Sequence, residues 1–182
     1  MIHPTAEISP AAIIGQNVAI WHHAQVREGA VIGNNCILAK GAYIDKNVII
    51  GDNCKIQNYS SLYHGVTVER NVFIGPHSVL TNDKVPRATN PDGTSKTDRN
   101  WKENPILVRE GSSIGARVVV LPGIVIGKFA MIGAGSVVTK DIPNFGLVYG
   151  NPARLQGYVC RCGRTLEAGK NAGELCPICD IS

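Results

Sequence analysis

The stretch IIGQNVAIWHHAQVREGAVIGNNCILAKGAYIDKNVIIGDNCKI, residues 13–56, contains an aliphatic residue at every sixth position. The same spacing runs without a miss over fourteen positions from Ile2 to Leu80, and it returns over six positions from Val108 to Val138. Six residues hold one short strand and one tight turn, and such a unit buries its apolar face only by stacking on others. The period therefore predicts a repeat architecture. The aliphatic residues of the period are Ile2, Ile8, Ile14, Ile20, Val26, Ile32, Leu38, Ile44, Ile50, Ile56, Leu62, Val68, Ile74, Leu80, Val108, Ile114, Val120, Ile126, Ile132 and Val138.

The position three residues after the aliphatic one also repeats. Gly and Asn recur there, and both adopt left-handed backbone conformations at little cost. Three six-residue units make one triangular coil, so we expect an all-β parallel β-helix of about seven coils, roughly 30 Å long at the usual strand spacing. The recurring turn residues are Asn17, Gly29, Asn35, Gly41, Asn47, Asn53, Gly65, Asn71, Gly111, Gly123 and Gly135.

Composition narrows the possible partners. The 182 residues suit one domain with a small appendage, and the formal charge of +4 is mild and spread along the chain. This charge favours anionic small molecules and gives no argument for nucleic acid. The first residues, MIHPTAEISP, lack a basic segment followed by an apolar run, and no long apolar stretch occurs. We therefore expect a soluble cytoplasmic protein with no membrane or nucleic-acid partner.

The period breaks between Leu80 and Val108. The separation of these two positions is not a multiple of six, so part of the segment between them must leave the coil. The segment is polar, contains proline-flanked turns and is too long for an ordinary connection. We therefore predict a functional loop over residues 83–107.

The residues that lead into this loop carry a more specific pattern. The segment IQNYSSLYHGVTVERNVFIGPHSVLTNDKVPRA, residues 56–88, contains the elements QN, Y-x-G-V, VF-x-GP and TND-x-x-PR, and the later coils end in GNPAR. The chain resembles the hexapeptide-repeat acyltransferases, and this segment is similar to the subgroup that N-acylates 3-amino sugars on UDP or dTDP. The resemblance covers residues 1–155 and implies a left-handed coil, a homotrimer with active sites between neighbours, and acetyl transfer from acetyl-CoA to a nucleotide-linked amino sugar.

The resemblance also implies a catalytic pair. Asn82, the Asn of the TN pair, lies at the sugar amine in the subgroup, where its amide orients the amine towards the thioester. His64 is the candidate for proton transfer, although the subgroup often has an acidic residue at this place. The alternatives are a turn-capping role for Asn82 and an exposed corner position for His64.

Two further sets of residues follow from the resemblance. One set offers hydrogen bonds or positive charge to the sugar nucleotide, and the other allows the coenzyme A arm to approach or meets its phosphates. For each set the alternative is an ordinary turn or a solvated charge. The substrate-binding candidates are Gln57, Asn58, Tyr63, Lys84 and Arg87. The coenzyme candidates are Gly115, Ala116, Ala134, Lys140 and Arg154.

The C-terminal segment, residues 156–182, has a different character. Cys160, Cys162, Cys176 and Cys179 form a C-x-C pair and a C-x₂-C pair, a spacing that suits a tetrahedral Cys₄ zinc site. Disulfides are the alternative, and a reducing compartment disfavours them. Four thiolates leave no open coordination position, so the zinc is predicted to be structural. Nucleic-acid binding by such a ribbon is disfavoured by its few aromatic and basic residues.

Three other functions fit the same repeat. The γ-class carbonic anhydrases use the same prism with a three-histidine zinc site, and the histidines of this chain have a different spacing. An O-acetyltransferase acting on a small hydroxylated substrate needs a histidine against a hydroxyl group, and the TNDKVPRA element, residues 81–88, favours amino sugars instead. A noncatalytic trimeric scaffold needs none of these residues.

Overall fold

The computed structural model describes residues 1–97, 100 and 102–180. Three sheets, parallel except for the last strand pair of the third, wind into one solenoid. Sheet I contains β1 (Glu7–Ile8), β4 (Gln25–Val26), β7 (Tyr43–Ile44), β10 (Ser61–Leu62), β13 (Val79–Leu80), β16 (Val119–Val120) and β19 (Val137–Val138). Sheet II contains β2 (Ile13–Ile14), β5 (Val31–Ile32), β8 (Ile49–Ile50), β11 (Val66–Val68), β14 (Ile106–Val108) and β17 (Val125–Ile126). Sheet III contains β3 (Ala19–Ile20), β6 (Ile37–Leu38), β9 (Lys55–Ile56), β12 (Phe73–Ile74), β15 (Ser113–Ile114), β18 (Met131–Ile132), β20 (Gly146–Gly150) and β21 (Ala153–Tyr158).

The chain passes through sheets I, II and III in turn, so each coil has three sides and three edges. We call the edges I/II, II/III and III/I after the sheets that they connect. Each strand pairs with the equivalent strand of the next coil, as in the pairing of Ile14 with Ile32. The solenoid has about eight turns, close to the seven predicted. The left hand predicted for the coil rests on the family resemblance.

The predicted inward positions form the core. From Ile20 to Val138, every aliphatic residue of the period is buried, because it points between the three sheets. The three residues of the period before Ile20 are less buried because they lie at the open end of the solenoid: Ile8 and Ile14 are half-buried, and Ile2 has 53 % of its surface exposed. All the predicted Gly and Asn turn positions have positive φ angles. The sequence did not predict that Tyr59, Phe129 and Phe145 also have positive φ.

The predicted loop leaves the coil at edge I/II. The loop does not interrupt strand pairing, because Val79 of β13, before the loop, pairs with Val119 of β16 on the next coil. β14 begins at Ile106, so the last two residues of the predicted loop belong to the solenoid. Residues 98, 99 and 101 of the loop lie outside the described residues. Among the residues that are described, no helix is long and apolar enough to cross a membrane.

The C-terminal segment packs on the end of the solenoid. β20 and β21 form an antiparallel pair, and β21 crosses the predicted boundary at residue 155 because the chain continues along sheet III before it enters the tail. The tail has a small apolar cluster of its own around Cys160, Leu166 and Cys176. Arg161 lies 5.1 Å above the ring of Phe129, and this contact holds the tail against edge II/III. Residues 181 and 182 of the predicted tail lie outside the described residues.

Candidate functional site

Edge I/II brings the two predicted catalytic residues together. Leu62 of β10 pairs with Leu80 of β13, so the residues two positions later, His64 and Asn82, occupy equivalent places on adjacent coils. The next pairings, of Leu80 with Val120 and of Val120 with Val138, add Pro122 and Lys140 to the same column. Adjacent coils are separated by the spacing of paired strands, about 4.8 Å. His64 and Asn82 are therefore neighbours.

The imidazole of His64 is held in one orientation. Its Nδ1 lies 2.9 Å from the backbone carbonyl oxygen of Lys46, one coil earlier. A carbonyl only accepts hydrogen bonds, so Nδ1 carries the proton and Nε2 is the nitrogen that can accept one. The backbone N–H of His64 donates to Oδ2 of Asp45 at 3.1 Å. The ring is about one-fifth exposed, which leaves it accessible to a substrate.

Asp45 organises the edge beneath His64. Besides the bond from His64, its carboxylate accepts the backbone N–H of Lys46 at 2.8 Å and the hydroxyl of Tyr43 at 3.0 Å. It thus fixes both the backbone of His64 and the segment whose carbonyl holds Nδ1. Burial, together with the hydrogen bond to Asp45, raises the pKa of Tyr43. The ring of Tyr63, a predicted substrate residue, lies 5.8 Å from that of Tyr43, which belongs to β7 one coil earlier.

The returning end of the loop covers His64. Oε1 of Glu103 lies 3.4 Å from Nε2 of His64. The carboxylate of Glu103 also lies over Gly65, whose φ is +87° and whose missing side chain leaves the space that Glu103 fills. The backbone N–H of Ile106 donates to the carbonyl of Gly65 at 3.2 Å and anchors this part of the loop.

The amide nitrogen of Asn82 makes a hydrogen bond within edge I/II. Nδ2 donates to the backbone carbonyl of His64 at 3.3 Å, and the backbone carbonyl of Asn82 accepts the N–H of Asn104 at 3.3 Å. Oδ1 of Asn82 makes no hydrogen bond to any of the described residues. The amide oxygen is therefore available to a ligand beside His64.

A cleft of about 550 Å³ opens where the loop begins. Lys84 lines it, and its Nζ approaches Gly123 on the turn opposite. Arg87, the other predicted cation, does not line the cleft and donates to the carbonyl of Pro86 at 3.0 Å. The cleft combines apolar side chains with one cation, Lys84, and one carboxylate, Asp83. Its lining residues are Thr81, Asp83, Lys84, Pro86, Leu121, Pro122, Gly123, Ile124 and Thr139.

A second cleft, of about 280 Å³, lies at the C-terminal end of the solenoid and joins two predicted coenzyme residues. Lys140, the last member of the His64 column, and Arg154 of β21 both line it. These two cations line one cleft beside the column that contains His64, together with Asp141, whose carboxylate accepts the backbone N–H of Val125. The arrangement provides a place for phosphate groups at that end of the edge.

The remaining predicted residues lie on another edge. Gln57 and Asn58 follow β9, and their equivalents on later coils include the predicted coenzyme residues Gly115, Ala116 and Ala134. All five belong to edge III/I, so the width of sheet I separates them from His64 within one chain. At Gly115 an added side chain would meet the backbone of Ala134 at 2.6 Å, so coil stacking alone already requires this glycine.

The four predicted metal ligands converge. The Sγ atoms of Cys160, Cys162, Cys176 and Cys179 all lie within 4.8 Å of one another, and those of Cys162 and Cys176 are 3.6 Å apart. Zinc–thiolate bonds of about 2.3 Å in a tetrahedron give sulfur separations of about 3.8 Å, so the cluster fits this ion. Backbone N–H groups of Cys162 and Cys176 lower the pKa of Cys160 to about 6. A thiolate is the form that binds metal.

Sequence reasoning missed Asp45 and Glu103. The role of Asp45 could have been predicted, because the repeat places Lys46 next to His64, one full coil away, and Asp45 directly precedes Lys46. Glu103 gave no such signal, since it lies in the loop, where the period is lost.

Comparison with known proteins identifies the repeat. Residues 1–46, 47–82 and 105–140 match the model of the family described as bacterial transferase hexapeptide (six repeats). The dTDP-3-amino-3,6-dideoxy-alpha-D-galactopyranose 3-N-acetyltransferase of Aneurinibacillus thermoaerophilus is 57 % identical over 61 residues, which are 34 % of this chain and 32 % of that protein. Galactoside O-acetyltransferase of Lactococcus lactis subsp. lactis (strain IL1403) is 37 % identical over 90 residues, 48 % of this chain and 44 % of that protein. The chain thus spans less than half the length of these curated relatives.

A solved structure extends the comparison. Perosamine N-acetyltransferase from Caulobacter crescentus, solved as a histidine-to-asparagine variant in complex with CoA and GDP-perosamine, superposes with a TM-score of 0.52 at 27 % identity. The superposition covers 86 % of this chain and 55 % of that chain.

Proposed function

The chain belongs to the bacterial transferase hexapeptide family, and we propose that it transfers an acetyl group from acetyl-CoA to the amino group of a UDP- or dTDP-linked amino sugar. The observation that carries the proposal is the juxtaposition of His64 and Asn82 beside the loop, where Nδ2 of Asn82 donates to the backbone carbonyl of His64 and Glu103 of the loop approaches Nε2. The N-acetyltransferase that is 57 % identical over 61 residues supports an amino-sugar substrate.

His64 is the proton acceptor in this proposal. An amine attacks a thioester only as the neutral base, so a proton must leave the ammonium form first. Because the carbonyl of Lys46 binds Nδ1, Nε2 faces the substrate with its lone pair. Oδ1 of Asn82 accepts an N–H of the same amine and directs the nitrogen lone pair towards the thioester carbonyl.

The acetyl-CoA arm runs along edge I/II. From His64 the column passes Asn82 and Pro122 and ends at Lys140, which is three coil steps and about 14 Å away. The apolar side chains of the loop cleft suit the pantetheine chain, and the cleft shared by Lys140 and Arg154 suits the coenzyme phosphates. Tyr63, Lys84 and Arg87 remain for the sugar nucleotide.

A homotrimer completes the site. Gln57, Asn58, Gly115, Ala116 and Ala134 lie on edge III/I, across sheet I from His64. A threefold axis that faces sheet I brings edge III/I of one copy against edge I/II of the next. The neighbouring copy then supplies these residues to the sugar and to the coenzyme arm.

The C-terminal tail holds a structural zinc ion in this proposal. The four converging Sγ atoms support it, because a Cys₄ set closes the coordination sphere and leaves no position for a substrate. Residues 156–182 act as a small separate unit whose own apolar cluster is too small to fold alone. Thiolates that bind zinc require a reducing environment, so we place the protein in the cytoplasm.

The test is coenzyme A release with a panel of nucleotide-linked sugars that carry either an amine or a hydroxyl at the same carbon. The proposal expects release with an amino sugar and an N-acetylated product by mass spectrometry. O-acetylation is the second candidate, since the Lactococcus lactis relative is a galactoside O-acetyltransferase. Coenzyme A release only with hydroxylated sugars would favour that candidate. If no sugar of the panel gives release, both candidates are contradicted.

A further inference from the structure

Glu103 occupies the place where a substrate must meet His64. Nδ1 of His64 is engaged by a backbone carbonyl, so an acceptor substrate can reach only Nε2. The carboxylate of Glu103 lies 3.4 Å from that nitrogen, and about two-fifths of the Glu103 side chain is exposed. A group that approaches Nε2 from solvent therefore also contacts Glu103.

The loop holds Glu103 at this position from its C-terminal side. The N–H of Asn104 donates to the carbonyl of Asn82, and the N–H of Ile106 donates to that of Gly65. Both carbonyls belong to the edge that contains His64. Glu103 immediately precedes these anchors, and the absence of a side chain at Gly65 leaves room for its carboxylate.

Two acceptors lie together, and a third belongs to the adjacent coil. Nε2 of His64 and a carboxylate oxygen of Glu103 are 3.4 Å apart, and Asn82, the neighbour of His64 in the column, has an Oδ1 without a partner among the described residues. An alkylammonium group has three N–H donors and a positive charge, so it matches three acceptors of which one is anionic. A hydroxyl group has a single donor and no charge, so it leaves two acceptors unmatched. The site is therefore built for an amine.

We propose that Glu103 is the residue that selects an amine as the acyl acceptor, by binding the ammonium form of the acceptor between itself and His64. This inference rests on the proposed N-acyltransferase function and adds a residue outside the family pattern. Nε2 takes one proton from the bound ammonium, and the negative charge of Glu103 stabilises the imidazolium formed.

The neutral amine then attacks the thioester carbonyl. The new N–C bond forms, the C–S bond breaks, and the coenzyme A thiolate leaves and takes the second proton of the former ammonium. The third hydrogen stays on the amide nitrogen. The imidazolium of His64 returns its proton to solvent, so one proton is released for each acetyl group transferred.

The test compares Glu103→Gln with a matched control in the same loop, Asp92→Asn. Asp92 bonds only to Thr94 among the described residues, so its substitution removes one negative charge of the loop without touching His64. The substrate is the amino-sugar nucleotide that the wild type turns over. The inhibitor is the nucleotide sugar with a hydroxyl group at the same carbon.

We expect Glu103→Gln to raise KM for the amino sugar by about 10-fold or more, because a charged hydrogen bond becomes a neutral one. The inhibition constant of the hydroxyl analogue stays within about twofold, since that ligand does not use the charge. Glu103→Asp keeps the charge and recovers part of the loss in KM, and Asp92→Asn behaves as the wild type.

Two results would overturn the inference while the proposed function stands. One is an unchanged KM for the amino sugar in Glu103→Gln. The other is an equal loss of binding for the amine and the hydroxyl ligand in Glu103→Gln, which would mean that Glu103 only shapes the pocket. A wild-type protein that acetylates no amino sugar contradicts the proposed function itself.

Discussion

Edges I/II and III/I are built from the same six-residue turn and differ in the inserted loop and in what fills the single left-handed position of each turn. On edge III/I, Tyr59 lies over Gly41, and its ring stacks on that of His77 at 5.2 Å. On edge I/II, this position is Gly65 and Gly123 on the coils beside the loop, and side chains of the loop lie over both. At these positions edge III/I is covered by its own aromatic residues, and edge I/II leaves space that the loop fills. In a uniform repeat, a candidate binding site therefore forms at the place where small turn residues lie under an inserted loop.

The largest effect that distinguishes the two edges is expected for His64→Ala. Loss of the proton acceptor should lower kcat by about 10²- to 10⁴-fold without changing the fold. His23→Asn is the control on edge III/I, because His23 has a φ of 56° and asparagine tolerates this conformation. Steady-state kinetics and circular dichroism measure both variants. Wild-type turnover by His64→Ala would remove His64 from the mechanism.

A smaller effect is expected for Asp45→Ala, which keeps the imidazole of His64 and removes the carboxylate that positions it. Three donors lose their acceptor, so the free energy of unfolding should fall by about 1–3 kcal/mol. The wider range of His64 orientations should lower kcat by about 10-fold. Denaturant unfolding and kinetics separate the two effects. An intact kcat in a destabilised variant would show that Asp45 supports only the fold.

Gly65→Asn should close part of edge I/II at little cost in stability. Asn47 occupies the equivalent place one coil earlier with a φ of 56°, so asparagine fits the turn. The asparagine side chain occupies the space of the Glu103 carboxylate. KM for the amino sugar should therefore rise several-fold, because the charged contact between Glu103 and the amine is partly lost. A KM equal to that of the wild type would contradict the view that this glycine leaves room for the loop.

The smallest effect on turnover is expected from the cysteine cluster, which lies in the tail that packs on edge II/III. Cys176→Ser should lose close to one zinc ion per chain and loosen the tail, while turnover stays within about twofold, because a closed Cys₄ site takes no part in the chemistry. Metal analysis and limited proteolysis follow the tail. Wild-type protein purified without zinc would contradict the metal assignment, and a large loss of turnover would tie the tail to edge I/II.

The sequence predicted the core because burial in a coil requires one inward aliphatic residue per strand. That requirement explains why Ile20 to Val138 are buried and why Ile2, at the open end, is not. The loss of the period predicted the loop, and the spacing of the four cysteines predicted their cluster. The proximity of His64 and Asn82 follows from the same period, because the two residues are one full coil apart.

The sequence could not predict contacts that depend on the path of the loop. Glu103 lies far from His64 along the chain, and no periodicity connects the two. The family resemblance assigns Gln57 and Tyr63 to one substrate-binding set, but the chain passes along sheet I between them. Residues one repeat unit apart therefore lie on different edges, and only those a whole coil apart come together.

The most direct test of the account is a crystal structure of the protein with coenzyme A and a dTDP-linked amino sugar. The account predicts the sugar nitrogen at about 3 Å from Nε2 of His64, with the carboxylate of Glu103 on its other side. A sugar nitrogen bound away from His64, or a coenzyme arm that does not follow the column from His64 to Lys140, would contradict it.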